Sequence, residues 1–279
     1  MLLTNSFLYL LIISFTMFKR IKKARSAYRK KDIEATKKAH TSKAIKSAAE
    51  HHTSHGSYVG DFVYGAIDGS VTTFAVVSGV AGAALSANIV IILGLANLIA
   101  DGFSMAVGNY LSSKSDKEFI ERERKREEWE IENYPEGEVE EIRVIFKKKG
   151  FKGKSLESAV RTIISNKKVW VDTMMADELG LLEDKTSPVK KGAVTFASFA
   201  LIGFIPLAPY FLSFFSEVIK ENVYLLSVIM TFIAFFFIGS AKVYITQKNW
   251  FKSGLETLFI GGVAAVIAYG IGYLLRGFA

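Results

Sequence analysis

The sequence predicts an all-α, polytopic membrane protein: five transmembrane helices, with a water-soluble helical domain inserted between the second and third. Three observations predict it. Half of the 279 residues are hydrophobic, 22 of them phenylalanine, and mean hydropathy is +0.27, a composition rare in soluble domains. Most of the charged residues gather into two tracts, 19–46 and 112–191. After residue 60, five apolar windows each reach the roughly 20 residues that a helix needs to cross a hydrocarbon core about 30 Å thick.

Taken in order, residues 2–18 are an apolar run followed by Lys19 and Arg20. The run reads as an extra N-terminal span, an uncleaved signal-like segment, or an artefact of an upstream start, since Met17 opens a plausible basic N-terminus. The artefact or a dispensable anchor is the favoured reading. The basic arm from Lys19 to Lys46 faces only Asp32 and Glu34, and it carries most of the net charge of +8. Ahead of a span, such an arm is a cytosolic flank drawn to anionic headgroups rather than a nucleic-acid site.

The spans are placed at 62–85, 88–111, 192–215, 222–245 and 254–275, with Ser78, Gly79, Gly82 and Ser86 softening the first hairpin. The loop from Ala83 to Asn88 has no charge, whereas Lys242, Lys248 and Lys252 follow the fourth span. The excess of positive charge on the inner side then puts the arm, the insert and the 242–252 loop in the cytosol, with the C-terminus outside. The resulting segments are 1–60, 61–112, 113–189 and 190–279. Within the insert, Lys114 to Asn133 holds no Gly or Pro and continues the second span into water. Val139–Lys149, Leu156–Ile164 and Lys168–Leu182 are three further helices. The last carries an apolar stripe of Val171, Met175, Leu179 and Leu182, with Trp170, Met174, Glu178 and Leu181 on the adjacent face.

With no cysteine, disulfides, thiolate ligands and cysteine nucleophiles are excluded, so metal ligands must be carboxylate, thioether, imidazole or backbone. Carboxylates inside a span are expensive and by default lie on an ion path. Asp68 and Asp101 are two such acids. Asn97, Asp101 and Met105 recur every four residues and line one helix face. An amide, a carboxylate and a thioether together suit a borderline metal better than Na⁺.

In the insert, Glu118 with Arg122 and Glu121 with Lys125 read as solvated i,i+4 pairs. Glu123, Glu127 and Glu130 instead place like charges on one face, and Glu138 and Glu141 repeat the pattern, which costs stability unless a cation neutralises them. Met174 and Glu178, one turn apart, add a soft ligand that tips such a site from Ca²⁺ or Mg²⁺ toward Fe²⁺ or Mn²⁺. The other clustered ligands are His51, His52 and His55, in a short polar tract that is more simply a solvated segment. An iron oxidase would need paired Glu-x-x-His motifs, and the insert has no histidine. No phosphate loop or hydrolase motif supports an enzyme. A membrane-anchored metal sensor is the remaining rival, and buried acids in the spans speak against it.

Several separated stretches, in order, resemble the vacuolar iron transporter family over about residues 55–279: Asp61 to Gly69, Ala100 to Leu111 with Lys114 and Ser115, Lys125 to Glu127, Met174 to Gly180, Ile205 to Pro209, and Leu255 to Thr257. The resemblance implies a homodimer of five-span subunits with a path between the two first helices. It also implies a cytosolic domain that collects Fe²⁺, and with it Mn²⁺ or Zn²⁺, before exchange for protons, with no permanently bound cofactor. The family's path carboxylate and thioether fall on Asp68 and Met105. Its cytosolic ligands fall on Glu127, Glu130, Glu138, Glu141, Met174 and Glu178. One departure is Asn97, where the plant-type pattern has a glutamate; Asp101 stands one turn on as an extra acid. The expected location is a cell membrane, or a vacuolar one in a eukaryote.

Overall fold

The computed structural model describes residues 26–28, 30–41, 57–241 and 249–278. The apolar run 2–18, the cluster at His51, His52 and His55, and Lys242 and Lys248 lie outside the described residues. Every regular element among the described residues is helical. A short helix α1 (Ile33–Ala39) in the basic arm is capped by Asp32, whose carboxylate accepts from the Ala35 amide at 2.9 Å.

Helices α2 (Ser57–Gly82) and α3 (Ala87–Asn133) follow. Next come α4 (Pro135–Lys148), α5 (Gly153–Ile164), α6 (Lys167–Thr173) and α7 (Pro188–Gly203). The chain closes with α8 (Ala208–Leu212), α9 (Glu217–Glu221), α10 (Val223–Ala241) and α11 (Trp250–Leu275). Five stretches are long and apolar enough to cross a membrane: Tyr58–Gly82, Ala87–Asn133, Pro188–Leu212, Val223–Ala241 and Trp250–Phe278. The protein is an integral membrane protein. The predicted spans are found, with ends shifted by a few residues. The glycines near Gly79 do not interrupt α2, and the turn into α3 falls instead at Ala84, whose φ is +58°.

The described residues divide into two compact units, Ser104–Ala193 and the remainder. In the membrane unit, α2 packs against α10 and α11. Glycine permits the closest approaches, because in lipid helices gain from van der Waals contact rather than from water release. A Cβ on Gly69 would stand 2.4 Å from the Phe199 carbonyl oxygen, and one on Gly65 2.5 Å from that of Thr195, so α2 and α7 meet backbone to backbone on either side of Asp68. The third span is bent at Pro206 and Pro209 through a single tight turn, Ile205–Leu207. There the Ser227 hydroxyl of α10 donates to the Pro206 carbonyl at 2.6 Å, satisfying a group that lipid would not.

The other unit has its own core, in which Ile131, Ile142, Ile145, Leu156, Val160, Trp170, Val171, Met174 and Met175 are buried. Pro135 opens α4, where its missing N–H costs nothing, and Glu136 and Glu138 in the first turn complement the helix dipole. The predicted last helix of this unit ends earlier than Leu182. After α6 the chain widens into one π turn, Met174–Glu178, in which the Leu179 amide bonds the Met174 carbonyl five residues back at 3.2 Å. Gly180, with φ +67°, then stops it. The extra residue shifts the periodicity. Met174 and Met175 are therefore both buried, and Leu182, expected in the stripe, is 74% exposed.

Candidate metal-binding cluster and membrane path

Glu123, Glu127 and Glu130 follow one another on one face of α3. Glu138 and Glu141 share a face at the start of α4, and Glu178 closes the π turn. The fold brings these elements together around the core, and the carboxylates of Glu127, Glu130, Glu138, Glu141 and Glu178 fall within reach of one another's charge. Glu127 is 1% exposed and Glu138 6%. Neither oxygen of Glu127 has a hydrogen-bond partner, nor has Oε2 of Glu138.

A buried carboxylate without a partner is strongly disfavoured in its charged form. Burial pushes Glu138 up to about 7, with further push from the charges of Glu141, Glu127, Glu130 and Glu178. Glu127 is also raised, by burial first and by neighbouring acids after it, against the opposing pull of Arg126. Glu178 is raised by desolvation first and then by the charges of Glu141 and Glu127, and it shares a hydrogen bond with Glu141. Glu178 is exposed as a whole residue, so its neighbours' charges are the part of this shift that the geometry supports most directly.

Met174 is fully buried in the apolar core beside Trp170 and Ile142. Among the described residues, no three His, Asp or Glu side chains are arranged to hold a metal ion as they stand. The cluster instead holds a cation of its own. The Arg126 guanidinium lies 3.1 Å from Glu123, 2.8 Å from Glu127 and 2.9 Å from Glu130. This residue was missed in the sequence, although its i−3 and i+4 spacings to Glu123 and Glu130 were there to be read. The expected Glu118–Arg122 pair is not formed: Glu118 meets Lys114 and Arg122 meets Glu123. No ion pair joins Glu121 to Lys125 among the described residues.

Of the membrane residues, Asp68 is half-buried on α2, between the two glycines that admit α7. The α2 helix is unbroken there, so Asp68 does not cap a helix end. Thr72 donates to the Asp68 carbonyl at 2.9 Å, and the Asn97 amide of α3 donates to Thr72 at 3.3 Å and to Thr73 at 3.5 Å. Asn97 therefore ties α3 to the helix that carries Asp68. Asp101 is exposed one turn further along α3, and Met105, a turn beyond that, is half-buried.

Comparison with known proteins agrees with this architecture. The VIT family profile matches residues 59–273. The chain is 38% identical over 265 residues to a vacuolar iron transporter of Toxoplasma gondii, covering 91% of this chain and 88% of that one. It is 34% identical over 265 residues to one from Plasmodium falciparum, covering 92% and 97%. Vacuolar iron transporter 1 of Arabidopsis thaliana is 35% identical over 221 residues, covering 79% and 87%. With five apolar spans and a family match running from the first of them into the last, the chain belongs to the VIT family.

Proposed function

We propose that the protein moves iron, as Fe²⁺ and with it Mn²⁺, across its membrane and out of the cytosol in exchange for protons. Its relatives in parasites and plants carry the name of iron transporters. The observation that carries the reading is the pair of buried acids, Glu127 and Glu138, whose unpartnered oxygens sit among three further carboxylates. Such an arrangement is costly by itself and becomes favourable when a dication neutralises it. The ligand set is Glu127, Glu130, Glu138, Glu141 and Glu178, with the Met174 thioether favouring a transition metal over Mg²⁺.

The insert faces the cytosol on the charge asymmetry of the loops, collects the ion, and passes it to a path lined by Asp68, Asn97, Asp101 and Met105. An exposed acid such as Asp101 on an apolar span needs water or a protein partner, and a second subunit against this face, forming a homodimer, supplies both. A partly buried carboxylate alternates between proton and metal, which gives exchange a physical basis. No covalent chemistry is needed, so the protein acts as a secondary transporter rather than an enzyme.

The test is metal flux into proteoliposomes under an imposed pH gradient, for wild type and Asp68→Ala. Gradient-dependent Fe²⁺ flux that is lost in the variant is the expected result. Equal flux in both would overturn the path, and no flux despite metal binding by the insert would make the protein a sensor.

A further inference from the structure

One guanidinium meets three carboxylates in the glutamate cluster. Arg126 donates Nε to Glu123 at 3.1 Å and Nη1 to Glu130 at 2.9 Å, and its Nη2 stands 2.8 Å from Glu127 Oε1. The third approach is close but not aligned as a hydrogen bond, so the buried oxygens of Glu127 feel the positive charge while their lone pairs stay unfilled. The arginine side chain is 44% exposed, whereas Glu123 is 16% and Glu130 31% exposed. It can therefore swing to water without first being dug out of the core.

We propose that Arg126 is the resident counter-cation of this cluster, which an incoming dication displaces, and that its competition keeps metal loading weak and reversible. The proposal rests on the reading of the cluster as a metal collector. A guanidinium and a divalent ion cannot both sit against Glu127 and Glu130 without strong repulsion, since unit charges a few ångströms apart interact by several kcal/mol in a partly buried site. An ion that engages one carboxylate at a time does not dislodge a fork that bridges several. A transition-metal dication that engages four or five ligands does. When the ion leaves, the arginine returns and restores the charge balance. The site is thus never left with five bare acids, and the collector does not become a trap.

The experiment uses the full chain in detergent at pH 8 and titrates Mn²⁺ calorimetrically into wild type, Arg126→Gln, Arg126→Lys and Glu127→Gln. The binding step absent from Glu127→Gln reports the cluster. Arg126→Gln is expected to tighten that step on the order of tenfold, with Arg126→Lys between it and wild type. In parallel, an arginine-selective dicarbonyl reagent with mass-spectrometric readout is expected to label Arg126 of the wild type more readily once Mn²⁺ saturates the cluster. Unchanged or weaker binding in Arg126→Gln overturns the proposal, as does labelling that Mn²⁺ leaves equal or reduces. The labelling uses the wild type and so decides the question even where a variant fails to fold. A Mn²⁺ isotherm that Glu127→Gln does not alter would instead remove the metal-collecting reading itself, and the proposal with it.

Discussion

Replacing Glu138 by glutamine removes the most strongly disfavoured carboxylate outside the spans and keeps its shape. In the folded protein Glu138 holds its proton up to about pH 7, whereas its ordinary value is 4.5. Between these two values the folded state carries a proton that the unfolded chain has already lost. Stability therefore falls as pH rises through the window, and the loss is complete above about 7. At 1.36 kcal/mol for each pH unit, the loss amounts to about 3 kcal/mol as an upper figure, shared with the acids that push on it. Amide exchange of α4, corrected for intrinsic rates and measured without divalent metal, is the assay. Wild-type protection is expected to drop on the order of a hundredfold from pH 5 to pH 8, and Glu138→Gln to stay flat and exceed wild type at pH 8. Added Mn²⁺ should restore protection in the wild type and not in the variant. Wild-type protection that is flat or rises over this range would refute the reasoning.

Other outcomes follow from single contacts. Gly69→Ala would drive a methyl into the Phe199 backbone, whereas Gly60 has open space around it; thermal unfolding in detergent should show a loss of about 1–3 kcal/mol for the first and no change for Gly60→Ala. Met174→Ala should cost about 2–5 kcal/mol of unfolding free energy through the cavity it opens. Met174→Leu should keep stability within about 1.5 kcal/mol and still weaken Mn²⁺ binding, because volume is retained and the thioether is lost. Lys191 and the Thr186 amide hold the Asp184 carboxyl down at about 2. Its contribution is present above the ordinary 3.8 and disappears as pH falls through about 2, so Asp184→Asn should speed amide exchange at Thr186 at pH 7 and make little difference at pH 2.

The spans were legible because hydropathy over twenty residues does not depend on what the helix packs against. Their ends were less so: Ala84 takes a positive φ that no local motif announces, and the third span bends at two prolines that the apolar window ignores. The cluster was half legible. A 3.6-residue period places Glu123, Glu127 and Glu130 on one face of α3 from sequence alone. The burial of Glu127 and Glu138 is a tertiary property, created when Trp170, Val171 and Met174 pack against Ile131 and Ile142. Arg126 was hidden for a different reason. Its spacing was visible, but long cationic side chains choose among several acids within reach, and the choice made by Arg122 likewise departs from the i,i+4 rule.

The π turn at Met174–Glu178 amounts to one residue too many for an α-helix. Loss of a single codon there, for instance that of Ala176, would let the chain relax into an uninterrupted helix and rotate everything beyond it by about 100°. Glu178 would then leave the other glutamates while the core methionine stayed in place. The acidic partner of the cluster is thus attached through the one point in this unit where a deletion is structurally easy. A lineage could shed that ligand in a single genetic step, without unfolding the domain and without substituting any residue of the cluster.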